Sequence, residues 1–177
     1  ELSSSRDFAT PVSYDGGFFA LWEDSRHGPV RVCALYGARL SPPGTVLDVS
    51  GFRWTADGLG GSDPSGRCID TSCLVAWQQH GDGVWVRAFN PTTRSMTAPV
   101  VVSMPTGSYA FPFVATDGTV YLLLWVDGGI MGQLLTSAGA LQGPARSLVT
   151  AGIATRPTAA AAGSTFLLVW VNAAGPT

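Results

Sequence analysis

"PFVATDGTVYLLLW", residues 112–125, decides how this chain is read. A short apolar stretch follows a Pro, Asp-Gly interrupts it, and a second apolar stretch then rises to a Trp. Asp-Gly between apolar runs is a hairpin signal, because Gly accepts the positive φ that a tight turn requires. The second run, "YLLLW" at 121–125, is apolar without alternation, as expected of a strand covered on both faces.

Working outward, the same unit recurs. "GGFFALW" at 16–22, "CLVAW" at 73–77 and "FLLVW" at 166–170 also end in Trp, and the four Trp stand 55, 48 and 45 residues apart. Periods of this size mark propellers, solenoids and other repeated arrays. A Pro precedes the Trp by 13 residues in three copies, at Pro64, Pro112 and Pro157, whereas Pro11 stands two residues closer to Trp22. Between Pro and Trp lies a turn: "YDGG" at 14–17, "IDTS" at 69–72, "TDGT" at 116–119 and "AAGS" at 161–164. Downstream, "LYGARLSPPGTVL" (35–47), "VWVRAFNPTTRSM" (84–96) and "IMGQLLTSAGALQ" (130–142) align without gaps as strand, turn and strand. "VLDVS" (46–50), "APVVVS" (98–103) and "ARSLVT" (145–150) supply a last strand. One repeat is therefore four short strands, a to d, with aromatic and β-branched residues dominating and no helix.

Four-stranded units of 45–55 residues read as blades, so the expected fold is all-β, a β-propeller or a segment of one. A β-sandwich or an open array of sheets is the alternative. The expected boundaries are residues 1–10 as strand d of a preceding blade, 11–50 as blade 1, 64–103 as blade 2, 112–150 as blade 3 and 157–177 as the first half of blade 4. The small residues of strand a, such as Ala115 and Ala159 to Ala162, suit a crowded region near an axis. The Trp reads as a packing anchor between blades, with an aromatic shelf for a sugar as the alternative. By count, blade 4 lacks its strand c. The edge of the strand ending at Trp170 is expected to be covered, by the remainder of the same polypeptide or by another chain, because a bare apolar edge invites pairing.

The pattern Pro, apolar, Asp-Gly, Tyr-Leu-Leu-Leu-Trp, followed by "GQLL" and a Gly-Ala-Leu turn, resembles tandem repeats of large secreted bacterial proteins. Those repeats look like propeller blades and mostly have no assigned function. The resemblance runs from Pro11 to Trp170. It implies a secreted or surface location and is silent about activity. "SYDGGFFALW" at 13–22 resembles the Asp-box of sialidases, which is a turn device, and the other copies depart from it.

Composition narrows the partners. The chain has 177 residues, 46% hydrophobic and 12% charged, with a formal net charge of −2. That balance leaves no electrostatic footprint for nucleic acid. The apolar runs are far shorter than the ~20 residues of a spanning helix, so no membrane insertion is expected. "ELSSSRDFAT" carries neither a basic start nor an apolar run and reads as a mature chain or an excised piece.

Cys68 and Cys73 flank the "IDTS" turn and face one another across a hairpin, either as a disulfide or as two small buried residues. Cys33, in the alternating "VRVCALYG", reads as a buried free thiol. A single Cys pair does not make a zinc site.

Candidate site residues sit in connections, where a rigid scaffold presents function. The b–c loops carry Asp24, His27, His80, Asp82 and Asp127, a set that admits metal or acid–base chemistry if the side chains converge. The d–a connections carry Trp54 and Tyr109, either as an aromatic contact for a glycan or protein or, for Trp54, as a lid folded over the blades. The Asp-rich turns admit Ca²⁺, although no Asp-x-Asp-x-Asp-Gly loop is present; no other cofactor is expected. Nucleophile-elbow, Walker and zinc-protease motifs are absent. The expected function is a binding or scaffold module whose loops take a glycan or protein. A glycan-active hydrolase or lyase, and a structural building block of a larger assembly, are the alternatives.

Overall fold

A computed structural model describes residues 6–26, 33–56, 59–79, 83–107, 109–150 and 154–172. Among these the chain forms fifteen strands and no helix. They make four antiparallel sheets, taken in order along the chain.

The first sheet holds β1 (Arg6–Tyr14), β2 (Gly17–Asp24), β3 (Ala34–Leu40) and β4 (Phe52–Arg53). The second holds β5 (Gly61–Ile69), β6 (Ser72–Gln79) and β7 (Gly83–Asn90), with β8 (Ser95–Met96) and β9 (Val100–Ser103) both pairing β7. The third holds β10 (Phe113–Thr116), β11 (Val120–Val126), β12 (Ile130–Thr136) and β13 (Leu141–Val149). The fourth is a hairpin of β14 (Ala154–Ala162) and β15 (Thr165–Asn172). Each predicted Asp-Gly-type turn joins the first two strands of its sheet, and Gly118 at φ 90° shows why Gly is needed there.

The Trp strands keep one register. Trp22 pairs Tyr36, Trp77 pairs Trp85 and Trp125 pairs Met131. Alternate side chains on each Trp strand then face opposite neighbours. Phe19 and Leu21 of β2 pack against Cys73, Val75 and Trp77 of β6. Leu74 and Ala76 of β6 pack against Tyr121, Leu123 and Trp125 of β11. Leu122 and Leu124 of β11 pack against Phe166 and Leu168 of β15. One interface is thus built three times, with the same positions used in each copy. This accounts for the unbroken apolar runs.

Side-chain bonds reinforce the stacking. Tyr121 Oη donates to the carbonyl of Ser72 and accepts from the amide of Ile69 (3.1 Å), tying β11 to the hairpin turn of the second sheet. Burial pushes the Tyr121 phenol up to about 12. The leading strands are linked in turn by Thr10 Oγ1 donating to the Pro64 carbonyl (2.7 Å) and Val114 N donating to Ser65 Oγ (3.0 Å). Close approach there demands small residues: a Cβ on Gly66 would lie 3.1 Å from Val12 Cγ2.

Three expectations are corrected. Residues 6–10 are not strand d of a preceding blade; they begin β1, with Arg6 opposite Asp24 and Asp7 opposite Glu23. Pro11 is not the register mate of the other Pro: it pairs Ala20, and the place of Pro64 is taken by Ala9. "VLDVS" is not the fourth strand of the first sheet. Only Val46 makes a bridge, to Leu40, and Phe52–Arg53 pair Gly37 and Tyr36 instead. The reason is Asp48, which turns inward to accept from Arg39 N (2.9 Å), Nε (2.8 Å) and Nη2 (3.1 Å) and so bends the chain away from the sheet. Separately, the edge of β15 stands open among the described residues. It pairs only β14, and Trp170 is 39% exposed where Trp77 and Trp125 are 1% exposed.

Candidate functional site

The leading strands carry a shared irregularity. Their pairing register slips between Asp7 and Thr10, between Ser62 and Ser65, and between Thr155 and Thr158. Each slip is a bulge, which re-aims a side chain. In the second, third and fourth repeats the residue directly before the Pro has positive φ: Asp63 at 50°, Phe111 at 44° and Arg156 at 48°. The left-handed region costs a non-Gly residue about 1–3 kcal/mol, and such residues persist only when their surroundings hold them. Glu23 helps to do so: its Oε1, in a buried side chain, accepts from Asp63 N at 2.9 Å. One repeat on, Gln78 Oε1 accepts from Ala110 N at 2.8 Å, beside Phe111.

The bulges meet. Ala9, Thr10, Asp63, Phe111, Arg156 and Thr158, with the intervening Pro residues, line a pocket of about 300 Å³. Two of its lining residues, Phe111 and Arg156, belong to an aromatic and cationic stack. Tyr109, 67% exposed, lies over Phe111 with ring centroids 5.7 Å apart and planes 14° apart. The Arg156 guanidinium carbon stands 4.6 Å from the Phe111 centroid. The pocket therefore offers a carboxylate, a guanidinium, hydroxyls and an aromatic face, which suits recognition of a polar ligand with an apolar patch.

Of the residues predicted from sequence, Tyr109 alone is seen at this site, through its stack on Phe111. Trp54 is corrected: it is 1% exposed and belongs to the core. Its ring packs against Phe19 (6.5 Å) and Phe89 (5.1 Å), and its amide donates to the Leu35 carbonyl (2.7 Å).

Asp24 is also corrected, being buried and engaged structurally. It accepts from Trp22 Nε1 (3.0 Å), Arg26 N (2.9 Å) and the Arg26 guanidinium. Burial pushes its carboxyl up, but the Arg26 and Trp22 hydrogen bonds outweigh this and hold it at about 2. The second repeat copies the device, with Trp77 Nε1 donating to Gln79 Oε1 at 3.2 Å. Asp127, at the matching place in the third repeat, instead clasps the connection that leads into its own sheet, accepting from Thr106 N and Oγ1, both at 3.1 Å. His27, His80 and Asp82 lie outside the described residues.

Cys68 and Cys73 form a disulfide across their hairpin, and Cys33 is half-buried and lies outside it. Among the described residues no group of three or more His, Cys, Asp or Glu is placed to hold a metal ion.

No family model matches the chain, and no curated protein matches it. Among solved structures it is similar to TolB from Acinetobacter baumannii, at 16% identity and a TM-score of 0.47, over 92% of this chain and 40% of that one. The chain thus spans well under half the length of that structure.

The sequence did hold a signal for the pocket. Before the constant Pro64, Pro112 and Pro157 stand Asp, Phe and Arg, three chemically unlike residues at a repeat-equivalent position. Variation beside a constant residue is what a binding position on a repeated scaffold looks like.

Proposed function

We propose that the chain is a segment of a β-propeller, its sheets serving as blades, and acts as a secreted or surface binding module for a glycan or protein ligand. The reading is carried by one observation: three non-Gly residues in left-handed conformation, Asp63, Phe111 and Arg156, line a single pocket. Backbone strain of that kind clusters at ligand-contacting positions. The disulfide supports an oxidising compartment, in keeping with the resemblance to repeats of secreted bacterial proteins.

A further strand, from the remainder of the polypeptide or another chain, would complete the fourth sheet. It would lie in the groove of about 410 Å³ between β12, β13 and β15, which is lined by Leu134, Leu148, Phe166 and Leu168 among others. A second reading, a building block of a larger assembly, is favoured by the open apolar faces at both ends of the array.

The test is a glycan array and a peptide array probed with the wild type and with Phe111→Ala and Arg156→Ala. Binding in the wild type that falls at least about tenfold in both variants supports the pocket, as expected for loss of a stacking or charge-assisted contact. Binding that both variants retain in full places the ligand elsewhere. No binding on either array removes the ligand reading.

A further inference from the structure

Each Trp strand has a rear set of side chains, which packs on the preceding sheet, and a forward set, which packs on the following one. Three rear sets and three forward sets are matched in the three interfaces. Among the described residues two sets are unmatched. The forward set of β15 is Leu167, Val169 and Val171, which are 68%, 55% and 59% exposed. Leu74 and Leu122, the register mates of Leu167, are buried. The rear set of β2 is Phe18, Ala20 and Trp22, with Phe18 44% exposed and the other two half-buried. Beside it lies a hollow of about 290 Å³ lined by Ala20, Trp22, Ala38, Leu40, Val46 and Val49. Exposed contiguous apolar faces of this kind mark interaction surfaces.

These two faces are the missing halves of the interface that the chain already builds three times. We propose that the forward face of the fourth sheet receives the rear face of the first sheet of a second copy, head to tail. The two faces continue the internal interfaces. Position by position, Phe18, Ala20 and Trp22 occupy the places that Cys73, Val75, Trp77 and Tyr121, Leu123, Trp125 occupy in the buried contacts. Every copy of the chain brings the complementary half with it, so a second copy is the partner whose fit is already specified. A contact of this sort is heterologous: it closes into a ring where the rotation allows and otherwise extends. The proposal does not depend on what the pocket binds.

Sedimentation velocity of the whole chain across the micromolar range tests it. The wild type is expected to associate with rising concentration. Phe18→Asp and Leu167→Asp should each weaken association roughly a hundredfold by placing a charge in an apolar contact. The decisive arm mixes the two variants. Each retains one intact face, so the mixture forms a heterodimer and stops there. Circular dichroism checks that both remain folded, and Val169→Lys replaces Leu167→Asp if the latter does not. A wild type that stays monomeric throughout, including one whose ends close on themselves, overturns the proposal. So does association that neither variant changes, or a mixture that fails to pair.

Discussion

Arg156 shows what a single residue costs this fold. Its φ of 48° suits Gly, yet the position holds a long cationic side chain laid over Phe111. Comparing Arg156→Gly with Arg156→Ala isolates the backbone term, since both remove the side chain. The Gly variant is expected to be more stable by about 1 kcal/mol in urea unfolding, because only Ala keeps a Cβ in the left-handed region. Equal stability of the two would mean that the backbone there is not strained. Asp24 supplies a second test. Its folded carboxyl titrates at about 2, below the ordinary value of 3.8, so its contribution is full above about pH 4 and fades as pH falls through 2. Asp24→Asn should therefore cost on the order of 2 kcal/mol at neutral pH, and the gap from wild type should close by about pH 2. Urea unfolding at several pH values reads this directly, and a pH-independent gap would argue that the Trp22 and Arg26 contacts act through shape rather than charge.

The hairpin is the element that carries most of the order between sheets. Tyr121 Oη reaches from β11 to the turn that joins β5 and β6, accepting from Ile69 N and donating to the Ser72 carbonyl. Tyr121→Phe keeps the ring and strands both groups, so a loss of about 1–3 kcal/mol is expected in chemical unfolding. A neutral result would mean that water replaces the hydroxyl. The same turn is closed by Cys68–Cys73, and replacing both by Ala should cost about 2 kcal/mol for so short a loop. These hairpins were legible in the sequence because their signal is local: Asp-Gly or an equivalent pair between apolar runs. The outer strands were not. Phe52 and Arg53 pair β3 only because Asp48 pulls the preceding residues toward Arg39, a contact that no periodicity encodes. Trp54 admitted two readings, a contact aromatic or a lid over the blades, and it packs in the core against Phe19 and Phe89. Pro11 misled as to register. Register is set by the partner strand, and Pro11 falls opposite Ala20. The backbone strain before each Pro was not readable, since it leaves the strand's composition unchanged, and only the change of residue beside a constant Pro marks those positions.

At the scale of the whole molecule, stability follows from how many neighbours a sheet has. In a linear array it is close to a sum of unit and nearest-neighbour terms. The second and third sheets each use both faces of their Trp strand, whereas the first and fourth use one. The fourth sheet has in addition only β14 and β15. Amide exchange should therefore be graded along the chain. At high dilution, residues 165–172 are expected to exchange first, residues 17–24 next, and residues 73–77 and 121–125 last. Peptide-resolved exchange mass spectrometry measures this order. Uniform protection would show that the chain opens as one cooperative block and that its end faces carry no penalty. Concentration adds a separate lever. If the two end faces meet between copies, protection of β15 and of β2 should rise together as the protein is concentrated, while β6 and β11, already covered on both faces, stay where they were. A rise confined to β15 would instead indicate a contact at its open edge, since only a face-to-face meeting of the fourth sheet with the first couples these two strands.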